Sequence, residues 1–97
     1  MSKKTYWVYI LQCSNQTYYT GYTDNLEKRF QNHLAGKASK YTRSFKAVAI
    51  AQSWEISGDK KKAMRIERYI KTLSKTQKEN IIQNPNSELI THLLLTE

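Results

Sequence analysis

The chain has 97 residues, 39% of them hydrophobic and 25% charged, which is typical of a globular domain and argues against a disordered chain. Its one cysteine excludes an internal disulfide framework, and no apolar run approaches the ~18 residues that a membrane-spanning helix needs. The net charge of +8 indicates a polyanionic partner, most simply nucleic acid, although a merely soluble basic surface would give the same total.

The basic residues are concentrated in two segments. Residues 28–46 contain six lysines and arginines and no acid, and residues 60–78 contain eight, with Glu67 as their single acid. Such runs favour a surface that contacts a phosphate backbone. No signal-peptide core precedes the first predicted strand, so we expect a cytoplasmic location, no membrane association and no obligate protein partner.

A β-hairpin is the first predicted element. Residues 6–11 are rich in aromatic and β-branched side chains, and residues 17–22 repeat this character, so each run predicts a strand. Between them, residues 14–16 have the composition of a turn, which favours antiparallel pairing of the two strands.

A helix follows, expected over residues 25–35, capped by Thr23 or Asp24 and ended by Gly36. A four-residue repeat predicts its buried stripe, formed by Leu26, Phe30 and Leu34. Residues 37–45 are basic and polar and predict a loop.

A third strand and a second long helix come next. Residues 47–55 predict the strand, residues 57–59 break the chain, and the helix is expected over residues 60–73. The bulky members of the strand are Val48, Ile50 and Trp54. The predicted buried stripe of the helix consists of Ala63, Ile66, Ile70 and Leu73.

Two shorter helices complete the prediction, one from Ser74 or Thr76 to residue 83 and one over residues 87–95. The order is ββαβα plus a C-terminal helical segment. It predicts an α+β fold, a small three-stranded antiparallel sheet flanked by helices, within one domain that spans residues 1–97.

Glu67 differs in position from the other acids. At 100° per residue it lies about 75° from the centre of the predicted stripe, so it borders the buried face of its helix. A carboxylate there needs a cation, a hydrogen bond or a metal ion as its partner. The alternatives to a metal are an ion pair with Lys71 on the same helix and a bond to Arg29 across the domain.

Arg29 and His33 form a second group, four residues apart on one flank of the first helix. An arginine suits bidentate contact with a phosphate, and a histidine suits proton transfer or the holding of a water. An exposed arginine and a half-buried structural histidine would give the same pattern.

Tyrosine is frequent, with seven in the chain and five of them in the predicted hairpin. Alternation puts Tyr9 on one face of the first strand with Trp7, and Tyr19 on one face of the second with Gly21. Strand tyrosines usually serve the core, but a phenol can also exchange a proton with a water that attacks phosphorus. Gly21 leaves room for close approach.

Together these residues resemble the GIY-YIG nuclease family. Residues 7–9 (WVY) resemble its first motif, and residues 19–21 (YTG), some ten residues on, resemble its second. Residues 23–29 (TDNLEKR), followed by His33, are similar to the family's Thr-x-Asn-Leu-x-x-Arg pattern and its later histidine. The ordered set is far more specific than any one motif.

The similarity covers about residues 6–70, and Glu67 falls where the family carries a metal-binding carboxylate on a helix. The short length and the basic middle segment resemble the small stand-alone bacterial subfamily. The sequence departs from the family at Trp7 in place of glycine, at Thr20 in place of isoleucine, and at Tyr22, where the repair-endonuclease branch has lysine.

The resemblance implies a metal-dependent nuclease that hydrolyses phosphodiester bonds in DNA or RNA, with DNA favoured, in repair or processing. Glu67 would hold one Mg²⁺ or Mn²⁺ ion, and Arg29 would bind the scissile phosphate. Tyr9 or Tyr19 would orient or deprotonate the attacking water, with His33 assisting. The residues expected to support the site are Gly21, Thr23 and Asn25. Those expected to grip nucleic acid are Lys37, Lys40, Tyr41 and Arg43, with Tyr41 stacking on an unpaired base.

Two rival interpretations also start from the basic composition. A nucleic-acid-binding module of the same fold would keep the charged surface but do little or no chemistry. A basic ribosome- or RNA-associated structural protein would need no such set of tyrosines, arginine, histidine and glutamate, so the set argues against it.

Overall fold

The sheet has three strands, and its central strand is the first in the chain. The computed structural model describes residues 4–95, apart from the side chain of Leu89. The strands are β1 (Thr5–Cys13), β2 (Tyr18–Thr23) and β3 (Ala47–Ser57). Their order is β2-β1-β3 with both pairings antiparallel, so Tyr9 lies opposite Gly21 on one side and Ser53 on the other.

Five helices surround this sheet. They are α1 (Leu26–Leu34), α2 (Lys40–Ser44), α3 (Lys60–Lys71), α4 (Lys75–Gln83) and α5 (Glu88–Leu95). The predicted α+β fold, a three-stranded antiparallel sheet flanked by helices, is therefore confirmed. Across residues 4–95 no helix combines the length and the apolarity needed to cross a membrane. The first three residues, which bear on the expected lack of a signal peptide, lie outside the described range.

Alternation along β1 gives the protein two cores, one on each face of the sheet. Val8 and Ile10 are fully buried against α3, α4 and α5. The isoleucines that these three helices contribute are Ile66, Ile70, Ile81 and Ile90. Tyr9 and Leu11 point to the opposite face, where Leu26 and Phe30 of α1 cover a smaller cluster.

The segment predicted as a loop over residues 37–45 contains helix α2, so that prediction was wrong. Ser39 caps this helix by accepting a hydrogen bond from the backbone N–H of Thr42 at 3.1 Å. The helix has only five residues, and its buried member is the polar Thr42. Neither feature produces the apolar repeat by which a helix is recognised in a sequence.

The first helix also differs from its prediction in its cap and its stripe. Asn25 is the cap and accepts from the N–H of Lys28 at 3.1 Å, whereas Thr23 accepts from the N–H of Asn25. Leu34, expected to be buried, is 46% exposed, and His33 is the buried residue instead. In β3, Val48 is also exposed, at 56%.

Candidate active site

A cavity of about 450 Å³ lies beside β2, one of the two edge strands of the sheet. Six residues proposed for the site from the sequence line it: Tyr9, Tyr19, Gly21, Thr23, Arg29 and Glu67. Since Tyr19 and Gly21 belong to one face of β2 and Tyr22, which also lines the cavity, belongs to the other, the cavity reaches both faces of this strand. For this reason helices on opposite sides of the sheet, α1 and α3, can each contribute a charged side chain.

Tyr9 reaches the cavity by crossing directly over Gly21. A Cβ atom added to Gly21 would lie 2.5 Å from Oη of Tyr9, 2.7 Å from its Cζ and 3.3 Å from Cε2 of Tyr19. Those distances are too short for any side chain, so glycine is required here by close packing rather than by backbone conformation. The two phenol rings meet at this point because the second strand has no side chain there.

His33 lies behind Tyr9 and does not line the cavity. Its side chain is 1% exposed, and Nε2 forms a 2.8 Å hydrogen bond with Oη of Tyr9. The ring centres of Tyr9 and Tyr19 are 5.7 Å and 5.1 Å from that of His33, so both tyrosines pack on the imidazole. The histidine can therefore act on a substrate only through a tyrosine.

Thr42 completes this buried group and was not singled out from the sequence. It is 0% exposed, and its Oγ1 lies 2.8 Å from Nδ1 of His33. The spacing of Ser39 and Thr42 could have revealed it, because serine is a typical helix cap that accepts the backbone N–H of the residue three positions later. The basic charge of the segment concealed that pattern.

Burial controls the protonation of both members of the Tyr9–His33 pair. It raises the pKa of the Tyr9 phenol well above its usual value, and Tyr19 and Glu67 act in the same direction while Arg29 opposes them. Burial also lowers the pKa of His33 to about 4, and the positive charge of Arg29 adds to this effect. At neutral pH the phenol therefore keeps its proton and the imidazole is uncharged.

Glu67 reaches the cavity from α3, with a side chain that is 17% exposed. Its carboxylate pairs with Nζ of Lys71 at 3.6 Å, which is the intrahelical partner considered in the sequence analysis. This is a loose contact between partly hydrated groups, and it leaves the carboxylate free to bind a second cation.

The residues around Glu67 fit a single hydrated cation. Within the described part of the chain, no three histidine, cysteine or acidic side chains are grouped to enclose a metal. Asp24 also lines the cavity, but it is paired with Lys4 at 3.1 Å. Mg²⁺ is commonly bound through one or two carboxylates and keeps several of its waters, so one carboxylate facing a cavity is a suitable donor set.

Thr23 and Asn25 form the turn that joins β2 to α1. Thr23 is buried, and its Oγ1 accepts from the N–H of Asn25 at 3.1 Å, while Asn25 caps the helix. Asn25 does not line the cavity. These two residues therefore fix the start of α1, and with it the direction from which Arg29 enters the cavity.

The basic segment before β3 borders the cavity through Ala38 and packs on Tyr19, a residue of the cavity wall, through Tyr41. Ala38 is part of the cavity wall, and the ring of Tyr41 stacks on that of Tyr19 at 6.0 Å. Three of the residues expected to bind nucleic acid are exposed here: Lys37, Lys40 and Arg43.

Tyr41, the fourth residue expected to bind nucleic acid, is turned toward the protein. Its hydroxyl is hydrogen-bonded to Oγ1 of Thr17, and its ring lies between those of Tyr19 and Phe45. The neighbouring Phe45, which the sequence analysis did not propose, is 41% exposed. Of the two rings, Phe45 is the one more open to a base.

Comparison with known proteins gives consistent matches over this fold. The family model described as the GIY-YIG catalytic domain matches residues 5–80. A UPF0213 protein of Bacillus cereus (strain ATCC 10987) is 42% identical over 83 residues, which is 86% of this chain and 85% of the relative. Another, from Bacillus cereus strain ZK, is 36% identical over 97 residues and covers both chains fully.

A solved structure agrees with the same assignment. The solution NMR structure of a UPF0213 protein from Bacillus halodurans has a TM-score of 0.53 and 33% sequence identity to this chain. The match covers 95% of this chain and 97% of that one. The similarity thus extends past residue 80 to the C-terminal helices.

Proposed function

Because this chain belongs to the GIY-YIG catalytic domain family, as its motifs predicted, we propose that it is a metal-dependent nuclease that hydrolyses phosphodiester bonds, in DNA rather than RNA. The observation that carries the proposal is the single cavity shared by Tyr9, Tyr19, Arg29 and Glu67. These side chains come from four separate elements, β1, β2, α1 and α3, and they surround one space large enough for a phosphodiester group.

Arg29 binds the scissile phosphate. Its guanidinium enters the cavity from α1, opposite the carboxylate supplied by α3. A guanidinium can hold two phosphate oxygens at once and opposes the negative charge that accumulates in the transition state. The same positive charge adds to the effect of burial in lowering the pKa of His33, so one residue serves both binding and proton control.

Tyr9 orients the attacking water. Its hydroxyl is bonded to His33 at 2.8 Å, so when Tyr9 accepts a hydrogen bond from water, its own proton has a route to Nε2. The negative charge of a bound phosphate raises the proton affinity of the imidazole and favours that transfer. The 5.1 Å packing of Tyr19 on His33 and the stacking of Tyr41 on Tyr19 support an orienting role for Tyr19.

Glu67 holds the divalent ion, Mg²⁺ or Mn²⁺, of the kind that GIY-YIG nucleases generally use. When bound, that ion supplies positive charge that polarises the phosphate and stabilises the leaving oxygen. Lys71 pairs with the Glu67 carboxylate from one helical turn away and helps to hold it at the cavity wall.

The basic segment holds the nucleic acid beside the cavity. Lys37, Lys40 and Arg43 are exposed and contact the phosphate backbone without reading sequence. Phe45 offers an exposed ring on which an unpaired base stacks, since every base has a face that can pack on an aromatic side chain.

The test is cleavage of labelled single-stranded, duplex and branched DNA and RNA with Mn²⁺. We expect Glu67→Gln, which removes one negative charge at nearly equal size, to lower cleavage at least ~100-fold while binding persists. Arg29→Ala should also abolish cleavage. Glu88→Gln, the same change at an exposed position of α5, is the matched control and should cut like the parent.

Two outcomes would contradict the proposal. If Glu67→Gln and Arg29→Ala cut as fast as the parent, the cavity is not the active site. If the parent binds nucleic acid in a salt-sensitive way and cuts none of the substrates, the chain is a binding module of the same fold.

A further inference from the structure

Two hydroxyl groups continue the Tyr9–His33 hydrogen bond away from the cavity. Oγ1 of Thr42 lies 2.8 Å from Nδ1 of His33, and Oγ of Ser39 lies 2.9 Å from Oγ1 of Thr42. Ser39 also accepts the backbone N–H of Thr42 at 3.1 Å. Thr42 is 0% exposed, so the imidazole has a defined partner at each of its two nitrogens.

A neutral imidazole carries one N–H, and only two arrangements of protons satisfy these contacts. In the first, Nε2–H donates to Tyr9 and Nδ1 accepts from Thr42. In the second, the Tyr9 hydroxyl donates to Nε2 and Nδ1–H donates to Thr42. A phenol is a stronger donor and a weaker acceptor than an aliphatic alcohol, so the second arrangement pairs the better donors with the better acceptors.

The second arrangement gives the protons of Tyr9, His33 and Thr42 one acceptor each, and the hydroxyl proton of the half-buried Ser39 is left to solvent. Thr42 accepts from Nδ1–H and donates its own proton to Oγ of Ser39, which has two acceptor positions. The hydroxyl of Tyr9 is then committed to His33, and only its lone pairs face the cavity. A water there must donate to Tyr9, which directs the lone pairs of that water elsewhere, toward a phosphate held by Arg29.

We propose that Thr42 is a positioning residue for the reaction: by accepting Nδ1–H of His33 it leaves Nε2 to accept the Tyr9 hydroxyl, and so turns Tyr9 into an acceptor for the attacking water. Ser39 supports it by accepting the hydroxyl proton of Thr42. This proposal rests on the proposed nuclease function for its effect on rate, but its effect on the imidazole can be measured without substrate.

Thr42→Val keeps the shape of the side chain and removes the acceptor. Without that acceptor, protonation of Nδ1 is no longer favoured. The imidazole proton then moves to Nε2, and Nε2–H donates to Tyr9. We expect kcat to fall ~10–100-fold, the range found when a group that orients an imidazole is removed, with KM for nucleic acid unchanged. Thr42→Ser keeps the hydroxyl and should recover most of the lost rate.

The matched control is Thr20→Val. Thr20 is 3% exposed, and its hydroxyl is buried without a hydrogen-bond partner among the described residues. It points into the other core, so the same chemical change should leave both kcat and the state of His33 as in the parent.

The decisive measurement is ¹⁵N NMR of the imidazole of His33 in the full chain, with its signals assigned by their loss in His33→Gln. The parent should show Nδ1 protonated, Thr42→Val should show Nε2 protonated, and Thr42→Ser should match the parent. A parent with Nε2 protonated overturns the proposal even if Thr42→Val does not fold, and so does a Thr42→Val protein with parental kcat. If the parent cuts no substrate, the nuclease function is refuted, and the NMR result alone then decides whether Thr42 sets the protonation of His33.

Discussion

At Gly21 the side chain of Tyr9 crosses β2, and a methyl group added to Gly21 would collide with the tyrosine. Tyr9 is buried and bonded to His33, so it cannot move aside without breaking that bond. We expect Gly21→Ala to lower the free energy of unfolding by ~1–3 kcal/mol, as overpacking usually does, and to reduce cleavage strongly. Urea unfolding and cleavage rates measure the two effects.

The control removes the Tyr9 hydroxyl, with which the methyl group of Gly21→Ala would collide. Tyr9→Phe eliminates the closest contact of the added methyl, the 2.5 Å approach to Oη. In a Tyr9→Phe background, Gly21→Ala should therefore cost less stability than in the parent. If the two substitutions lower the free energy of unfolding by strictly additive amounts, the side chains at positions 9 and 21 do not clash.

The buried neutral state of His33 predicts how stability changes in acid. Its pKa is about 4 in the folded protein and about 6.5 when unfolded, so below pH 6.5 the unfolded chain takes up a proton that the folded chain does not. Stability should fall as the pH drops from about 6.5 to about 4, by up to ~3 kcal/mol, and show no such change above 6.5.

Unfolding free energies of the parent and of His33→Gln across this pH range test that expectation. The carboxylates titrate in both proteins and cancel in the comparison. The parent should lose stability more steeply than the variant between pH 6.5 and 4. Parallel curves would mean that His33 is protonated in the folded protein as readily as in the unfolded chain.

Single residues were predictable where the pattern of the chain isolates them. Glu67 was noticed because it is the one acid in a basic helix at the border of a buried face, and it does line the cavity. Thr42 was not, because its importance comes from one contact with a residue nine positions away. Leu34 was expected to be buried and is exposed, whereas His33 is buried. Hydrogen bonds hold the histidine inside, and an apolar repeat in the sequence cannot reveal them.

Helix α2 is the element on which nucleic-acid binding should depend most. It carries the exposed Lys40 and Arg43 next to the cavity. Each phosphate contact contributes about one unit to the slope of log K against log salt, so Lys40→Ala and Arg43→Ala should each weaken binding and lower that slope by about one. Fluorescence anisotropy at several salt concentrations measures both quantities.

Lys75→Ala is the control for charge alone. Lys75 is exposed on α4, which packs on the opposite face of the sheet through Ile81. The net charge changes equally, but no phosphate contact is lost, so the slope should stay near that of the parent. Equal effects of all three variants would indicate attraction by total charge rather than by a site.

The long elements were predictable, and the short one was not. Strands and long helices contain enough periodic residues for the sequence to indicate which of the two they form. The start of α4 is marked in addition by the capping box of Ser74. Cap choice was less certain: Asn25 rather than Thr23 or Asp24 caps α1, since Asp24 is engaged by Lys4 and Thr23 by the backbone of Asn25.

On the scale of the whole molecule, the larger core extends to the last helix. Ile90 in α5 is fully buried with Ile66 and Ile70, although the family match ends at residue 80. We expect Ile90→Ala to destabilise the protein by ~2–5 kcal/mol, as buried large-to-small changes do. Thermal or urea unfolding measures the loss.

Leu95→Ala serves as the comparison, because Leu95 is 77% exposed in the same helix. Its effect should stay within ~0.5 kcal/mol. If Ile90→Ala is as mild as Leu95→Ala, then α5 contributes little to the cooperative fold despite its burial.

The assembly of the site has a kinetic consequence. Tyr9, Tyr19, Arg29 and His33 all come from the hairpin and α1, whereas Glu67 alone comes from α3. A brief detachment of α3 would withdraw the carboxylate and leave the phenol, imidazole and guanidinium in place. In that open form the protein would still hold a DNA strand but pause before cutting it. Mn²⁺ bound at Glu67 would favour the docked helix, which would shorten the pause and would be seen as slower amide hydrogen exchange in α3.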